Sequence, residues 1–66
     1  MKVEIVLEEV RRVAMEFEVS EEELKALENS RNPFEHEMMD ELPYGYTRYD
    51  YTVNDMEGRT LVDWEY

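Results

Sequence analysis

The sequence predicts a small α+β domain of order strand, strand, helix, helix, strand, strand (ββααββ). One antiparallel sheet would carry short helices packed on a single face. Three observations point there: apolar and polar residues alternate at both ends of the chain, helix-start signals occur twice in the middle, and 42% of residues are hydrophobic, enough for a core. At 66 residues the chain makes one domain, residues 1–66. A domain of this size buries only roughly 60% of its unfolded surface.

Val3, Ile5 and Leu7 alternate with Glu4, Val6 and Glu8, and Val13, Met15, Phe17 and Val19 alternate with Arg12, Ala14, Glu16 and Glu18. Period two with β-branched residues reads as two strands, each with one face inward. Matching those faces in a hairpin allows Leu7 opposite Val13 and Ile5 opposite Met15, across a loop of Glu9, Val10 and Arg11. The same register sets Glu8 against Arg12 and Lys2 against Glu18, but Glu4 against Glu16. The loop lacks the Gly or Asn of a tight turn.

Ser20 with Glu23 has capping-box spacing, and Val19 and Leu24 flank it as a hydrophobic staple. Glu21, Glu22 and Glu23 fill the first turn, where the helix dipole favours negative charge. This helix is expected to end near Asn29. Asn32-Pro33 reads as a second start, with Asn as N-cap, Pro at the first helical position and Glu35 at the capping-box position. Phe34, Met38 and Leu42 then give one apolar face before Pro43. Met39 adjoins Met38, so one of the two is expected to face outward.

Tyr49, Tyr51 and Val53 alternate with polar residues, as do Val62, Trp64 and Tyr66 with Asp63 and Glu65. Asp55-Met56-Glu57-Gly58 fits a four-residue hairpin loop, with Gly58 left-handed. That loop sets Tyr51 opposite Val62 and Tyr49 opposite Trp64.

Eighteen acids against seven bases give a net charge of −11. Residues 1–15 are neutral and residues 42–66 carry −3. Residues 16–41 carry −8, from Glu16, Glu18, Glu21, Glu22, Glu23, Glu28, Glu35, Glu37, Asp40 and Glu41 against Lys25 and Arg31. Three readings are open. The acids form a solvated, solubilising face; they imitate a nucleic-acid backbone, which carries one charge per about 1.7 Å of duplex axis; or they make an acidic partner that neutralises a basic protein, as an antitoxin does. Direct nucleic-acid binding is excluded, because the seven bases form no stripe and phosphate repels such a chain. Tyr44 and Tyr46 lie out of phase with the strand that follows and are candidate interface anchors beside the acids.

No cysteine is present, so neither a disulfide nor a thiolate metal site is available. The opening residues carry charges inside their apolar stretch, unlike a signal peptide, and no apolar run approaches a membrane span. A cytoplasmic protein is expected. His36, the one histidine, stands four residues before Asp40 between Glu35 and Glu37, which matches no metal motif. Asp50, Asn54, Asp55 and Glu57 near Gly58 lack calcium-loop spacing and read as turn chemistry. With two glycines, no phosphate loop and no activated Ser or Cys, neither an enzyme nor a cofactor site is expected.

In length, charge and layout the chain resembles the very small acidic proteins carried by bacteriophages and mobile elements. The similar stretches are Glu8-Glu9-Val10-Arg11-Arg12 and the tail from Tyr49 through Asp50-Tyr51-Thr52-Val53-Asn54-Asp55-Met56-Glu57 to Gly58. That group includes anti-CRISPR inhibitors that act as DNA mimics. The resemblance transfers no functional residue; it implies an inhibitor, in a bacterial host, of a nucleic-acid-binding complex such as a CRISPR effector. The expectation is therefore a basic protein partner held by the acids of residues 16–41 with Tyr44 and Tyr46. The alternative is a structural or regulatory protein that self-associates as a homodimer through its aromatic C-terminal hairpin.

Overall fold

The computed structural model describes residues 1–45 and 48–66. The anchor expected at Tyr46 lies outside them. The elements are β1 (Lys2–Glu8), β2 (Arg12–Glu18), α1 (Glu21–Glu28), α2 (Glu35–Met39), β3 (Asp50–Asp55) and β4 (Thr60–Trp64). All strand neighbours run antiparallel, in the order β2-β1-β3-β4. The predicted α+β class and element order are what the chain adopts.

Strand alternation decides which side of the sheet meets the helices. Val3, Ile5 and Leu7 of β1, Val13 of β2, Tyr51 and Val53 of β3 and Val62 of β4 form the core with Leu27, Met38 and Leu42 from the helical layer. The even-numbered residues of β1, β2 and β3 face away, onto an open sheet surface. Val6 is on that surface, yet only 6% exposed, between its cross-strand neighbours Ala14 and Thr52.

The first hairpin has the expected register, from Lys2 opposite Glu18 to Glu8 opposite Arg12. Its like-charged pair, Glu4 and Glu16, is offset by Lys2, whose amine lies 3.2 Å from Glu16. The N-terminal amine binds Glu18 at 2.8 Å.

The second hairpin departs from expectation. Tyr51 is opposite Trp64 and Val53 opposite Val62, rather than Tyr51 with Val62 and Tyr49 with Trp64. Two local choices cause this. Asp55 donates its amide to the Arg59 carbonyl, closing a three-residue loop of Met56, Glu57 and left-handed Gly58 (φ 88°). Leu61 is then an extra residue, because Asn54 pairs with Thr60 while Val53 pairs with Val62. Each step shifts the register by one, and the two together restore the faces. The Asp55 carboxylate holds the turn, accepting from the amides of Glu57 and Arg59 and from the Arg59 guanidinium at 2.7 Å. Those contacts, the Arg59 amide foremost, hold its carboxyl below the usual carboxylate range. Tyr66 lies past the end of β4 and is 67% exposed, so it is not part of the core face. It stands edge-on to Trp64, beneath the Arg48 guanidinium.

α1 begins and ends as its sequence dictates. Ser20 and Glu23 form the reciprocal capping box, and Asn29 is the C-cap. Past it, the Ser30 amide donates to Leu27 and the Arg31 amide to Ala26, the paired bonds of a Schellman ending. Ser30 takes the left-handed position (φ 64°) usually given to glycine.

α2 starts later than predicted. Its N-cap is Phe34, without a side-chain cap bond, and Asn32 instead closes a turn by accepting from the Phe34 amide at 2.9 Å. Asn32 caps the turn rather than the helix because its side chain is drawn into the core, its amide 3.7 Å from the Met38 sulfur. The apolar face is as expected: Phe34 stacks on Phe17 (4.1 Å between centroids), and Met38 and Leu42 are buried. Met39 does not project outward but is half-buried against the core.

Candidate partner-binding surface

The carboxylates of residues 16–41 separate into two groups on opposite sides of the sheet. Glu16 and Glu18 alternate with the core residues of β2, so they sit on the open sheet face, and both are already paired, with Lys2 and with the N-terminal amine. Glu21, Glu22, Glu23, Glu28, Glu35, Glu37, Asp40 and Glu41 belong to the helical layer.

Two of these eight have local duties. Glu23 accepts from the Ser20 amide in the capping box. Glu35, half-buried, holds the Tyr49 phenol, whose pKa is pushed up to about 12 by burial first and by the Glu35 hydrogen bond and charge second. The other six, Glu21, Glu22, Glu28, Glu37, Asp40 and Glu41, are exposed, and among the described residues none makes an ion pair. Glu21 and Glu28, seven residues apart, lie on one side of α1. Lys25 stands between them, and with Glu22 and Arg31 it borders a shallow groove. Glu22 thus shares this groove with both bases of the segment, Lys25 and Arg31.

Tyr44 is fully exposed just after the last of these acids, as a contact residue requires. The aromatics of β3 and β4 and the neighbouring Tyr49 are committed elsewhere. Tyr49 and Tyr51 are buried, and Trp64 lies against both at 6.1 and 5.3 Å. The aromatic hairpin therefore spends its face on the core and keeps only Tyr66 for an external contact.

The open sheet face carries a second acidic region that the sequence did not reveal. Glu8 is directly opposite Asp50 across β1 and β3, and with Asp63 and Glu65 they border a concavity of about 400 Å³ floored by Val6 and Thr52. Arg12 is its one base. Alternation alone places these acids on one face. Which of them meet depends on β1 pairing with β3, for which no local signal exists.

Among the described residues no three His, Asp or Glu side chains come together as metal ligands, and no helix is long and apolar enough to cross a membrane. His36 is exposed on α2. Compared with protein-family models, with curated proteins and with solved structures, the chain finds no match in any of the three. Its function is therefore read from its own residues.

Proposed function

We propose that this protein is an acidic inhibitor that occupies a basic DNA- or RNA-binding groove of a partner protein, in the manner of an anti-CRISPR DNA mimic, and is not an enzyme. The observation that carries this reading is the set of six exposed carboxylates of the helical layer that have no ion-pair partner among the described residues. A paired carboxylate projects little field, whereas an unpaired one attracts lysine and arginine over about a Debye length, ~10 Å at 0.1 M salt. Magnitude supports the comparison with nucleic acid. The molecule is 31 Å long and carries −11, about one net charge per 2.8 Å, against one per about 1.7 Å of duplex axis. Tyr44 offers an aromatic anchor at the margin. Glu16 and Glu18 contribute less, because their charges are already offset.

The test is capture of a nucleic-acid-binding protein from bacterial lysate on immobilised protein at low salt, followed by competition with duplex DNA. Capture should be released by the duplex and by raised salt. It should be lost in the triple variant Glu22→Lys, Glu28→Lys, Glu37→Lys, which leaves the capping box intact. A captured partner that neither duplex DNA nor this variant displaces would sink the reading.

A further inference from the structure

We propose that the open edge of β2 is a pairing edge for a second copy of this chain, joining two four-stranded sheets through an antiparallel β2–β2 contact centred on Met15. The proposal goes beyond the inhibitor reading and uses a different surface.

The backbone sets which groups are available. Met1 and Val19 exchange hydrogen bonds in both directions (2.7 and 3.1 Å), so the odd residues of β2 bond toward β1. In an antiparallel ladder the intervening residues then aim their N–H and C=O groups away from that neighbour. These are Arg12, Ala14, Glu16 and Glu18, all exposed, and among the described residues their main-chain groups have no partner at the edge. Sheets ordinarily blunt such an edge with a bulge, a proline or a short strand. β4, the other edge, is five residues long and disturbed at Leu61. β2 has seven residues, an unbroken register, and neither proline nor glycine.

The side chains then select the partner. Full two-fold overlap places Met15 opposite Met15 of the second copy. It also sets Arg12 opposite Glu18 of the second copy, twice by symmetry, so opposite charges meet at both ends. Ala14 falls opposite Glu16 on the same face, where its small side chain leaves room. On the inner face Val13 meets Phe17 of the second copy. Met15 and Phe17 are half-buried in the single chain and would gain cover from this pairing. Faces match because the register pairs even with even and odd with odd residues. The doubled charge of −11 opposes the contact, so association strengthens as salt screens the copies from each other. Capture of a basic partner by the helical acids has the opposite salt dependence.

Sedimentation equilibrium on the whole chain, over protein concentration and salt, tests this. The wild type should form dimers in increasing proportion as salt rises. Arg12→Glu and Glu18→Arg should each weaken the dimer about tenfold, because each variant sets like charges opposite one another at both ends. An equimolar mixture of the two should recover association, since both contacts become attractive again. Ala14→Pro removes an outward donor without touching a bond to β1, and should abolish the dimer while the far-ultraviolet circular dichroism is unchanged. A wild type that stays monomeric throughout overturns the proposal. So does a mixture that associates no better than its components, or a dimer indifferent to the charge variants, which would put self-association on another surface.

Discussion

The Tyr51 phenol, near the start of β3, donates a buried hydrogen bond to the main-chain carbonyl of Leu27 in the last turn of α1. Leu27 is itself fully buried and its carbonyl also accepts from the Ser30 amide, so one oxygen joins the sheet, the helix and the Schellman ending. Burial, the larger effect, raises the Tyr51 pKa, so the phenol stays a donor. Tyr51→Phe keeps the ring against Trp64 and removes the hydroxyl, with its bond to Leu27 and its contact with Ser30. The expected cost is about 1 kcal/mol, at the modest end because the carbonyl keeps the Ser30 amide. Urea unfolding of the two proteins measures it, and an unchanged midpoint would contradict the linking role.

Ser30 occupies a left-handed position that suits glycine. Ser30→Gly relieves the Cβ strain, which for a non-glycine residue costs roughly 1 kcal/mol, but it gives up the hydroxyl contact with the Tyr51 phenol and adds freedom to the unfolded chain. The strain should win by about 0.5 kcal/mol. Thermal unfolding should show a small rise in Tm, and a fall would mean the hydroxyl matters more than the backbone.

Tyr49 gives the fold an alkaline limit. Its pKa stands at about 12 against the usual 10.0, so the folded chain holds the phenol proton more tightly than the unfolded one. Stability from this group is complete below pH 10 and is lost as pH rises toward about 12. Glu35→Gln removes a carboxylate that raises this pKa, so absorbance titration should move the Tyr49 transition toward lower pH, by less than the whole shift because burial is the larger cause. An unmoved transition would separate Tyr49 from Glu35.

Salt should act on stability and on partner capture in opposite directions. Self-repulsion from −11 destabilises the compact state and is screened by added salt, so Tm should rise by a few degrees between low and physiological ionic strength. The exposed ion pairs Lys2–Glu16 and Arg59–Glu57, which salt weakens, contribute little. Differential scanning at several salt concentrations checks this, and a falling Tm would mean that the surface ion pairs dominate.

The legible parts of this fold were those set by short-range chemistry. The Ser20 cap, the Asn29 ending and the first hairpin register follow from neighbouring residues, and the structure has each of them. The register of the second hairpin is not legible locally, because Gly58 is compatible with both a three- and a four-residue loop. The exposed Leu61 also gave no sign that it would bulge. Asn32 has the spacing of a helix cap, and local spacing does not show that the core draws in its side chain. The helical acids were visible as a charge run, but not that Glu16 and Glu18 would fall across the sheet from them. That division depends on which face the helices cover.

The strand order imposes a delay on the nascent chain. β1 lies between β2 and β3, and its pairing of Val3 with Asp55 spans almost the whole sequence. At roughly 5–20 residues per second of synthesis, β3 emerges about 3–10 s after β1. Through that interval the first hairpin carries two unpaired edges and a bare apolar face. Its own side chains carry only −2 of the −11, from Glu4, Glu8, Glu9, Glu16 and Glu18 against Lys2, Arg11 and Arg12, so it has little repulsion to keep it from other chains. The acids that follow it from Glu21 onward are the main protection to arrive, and they precede β3 in the order of synthesis.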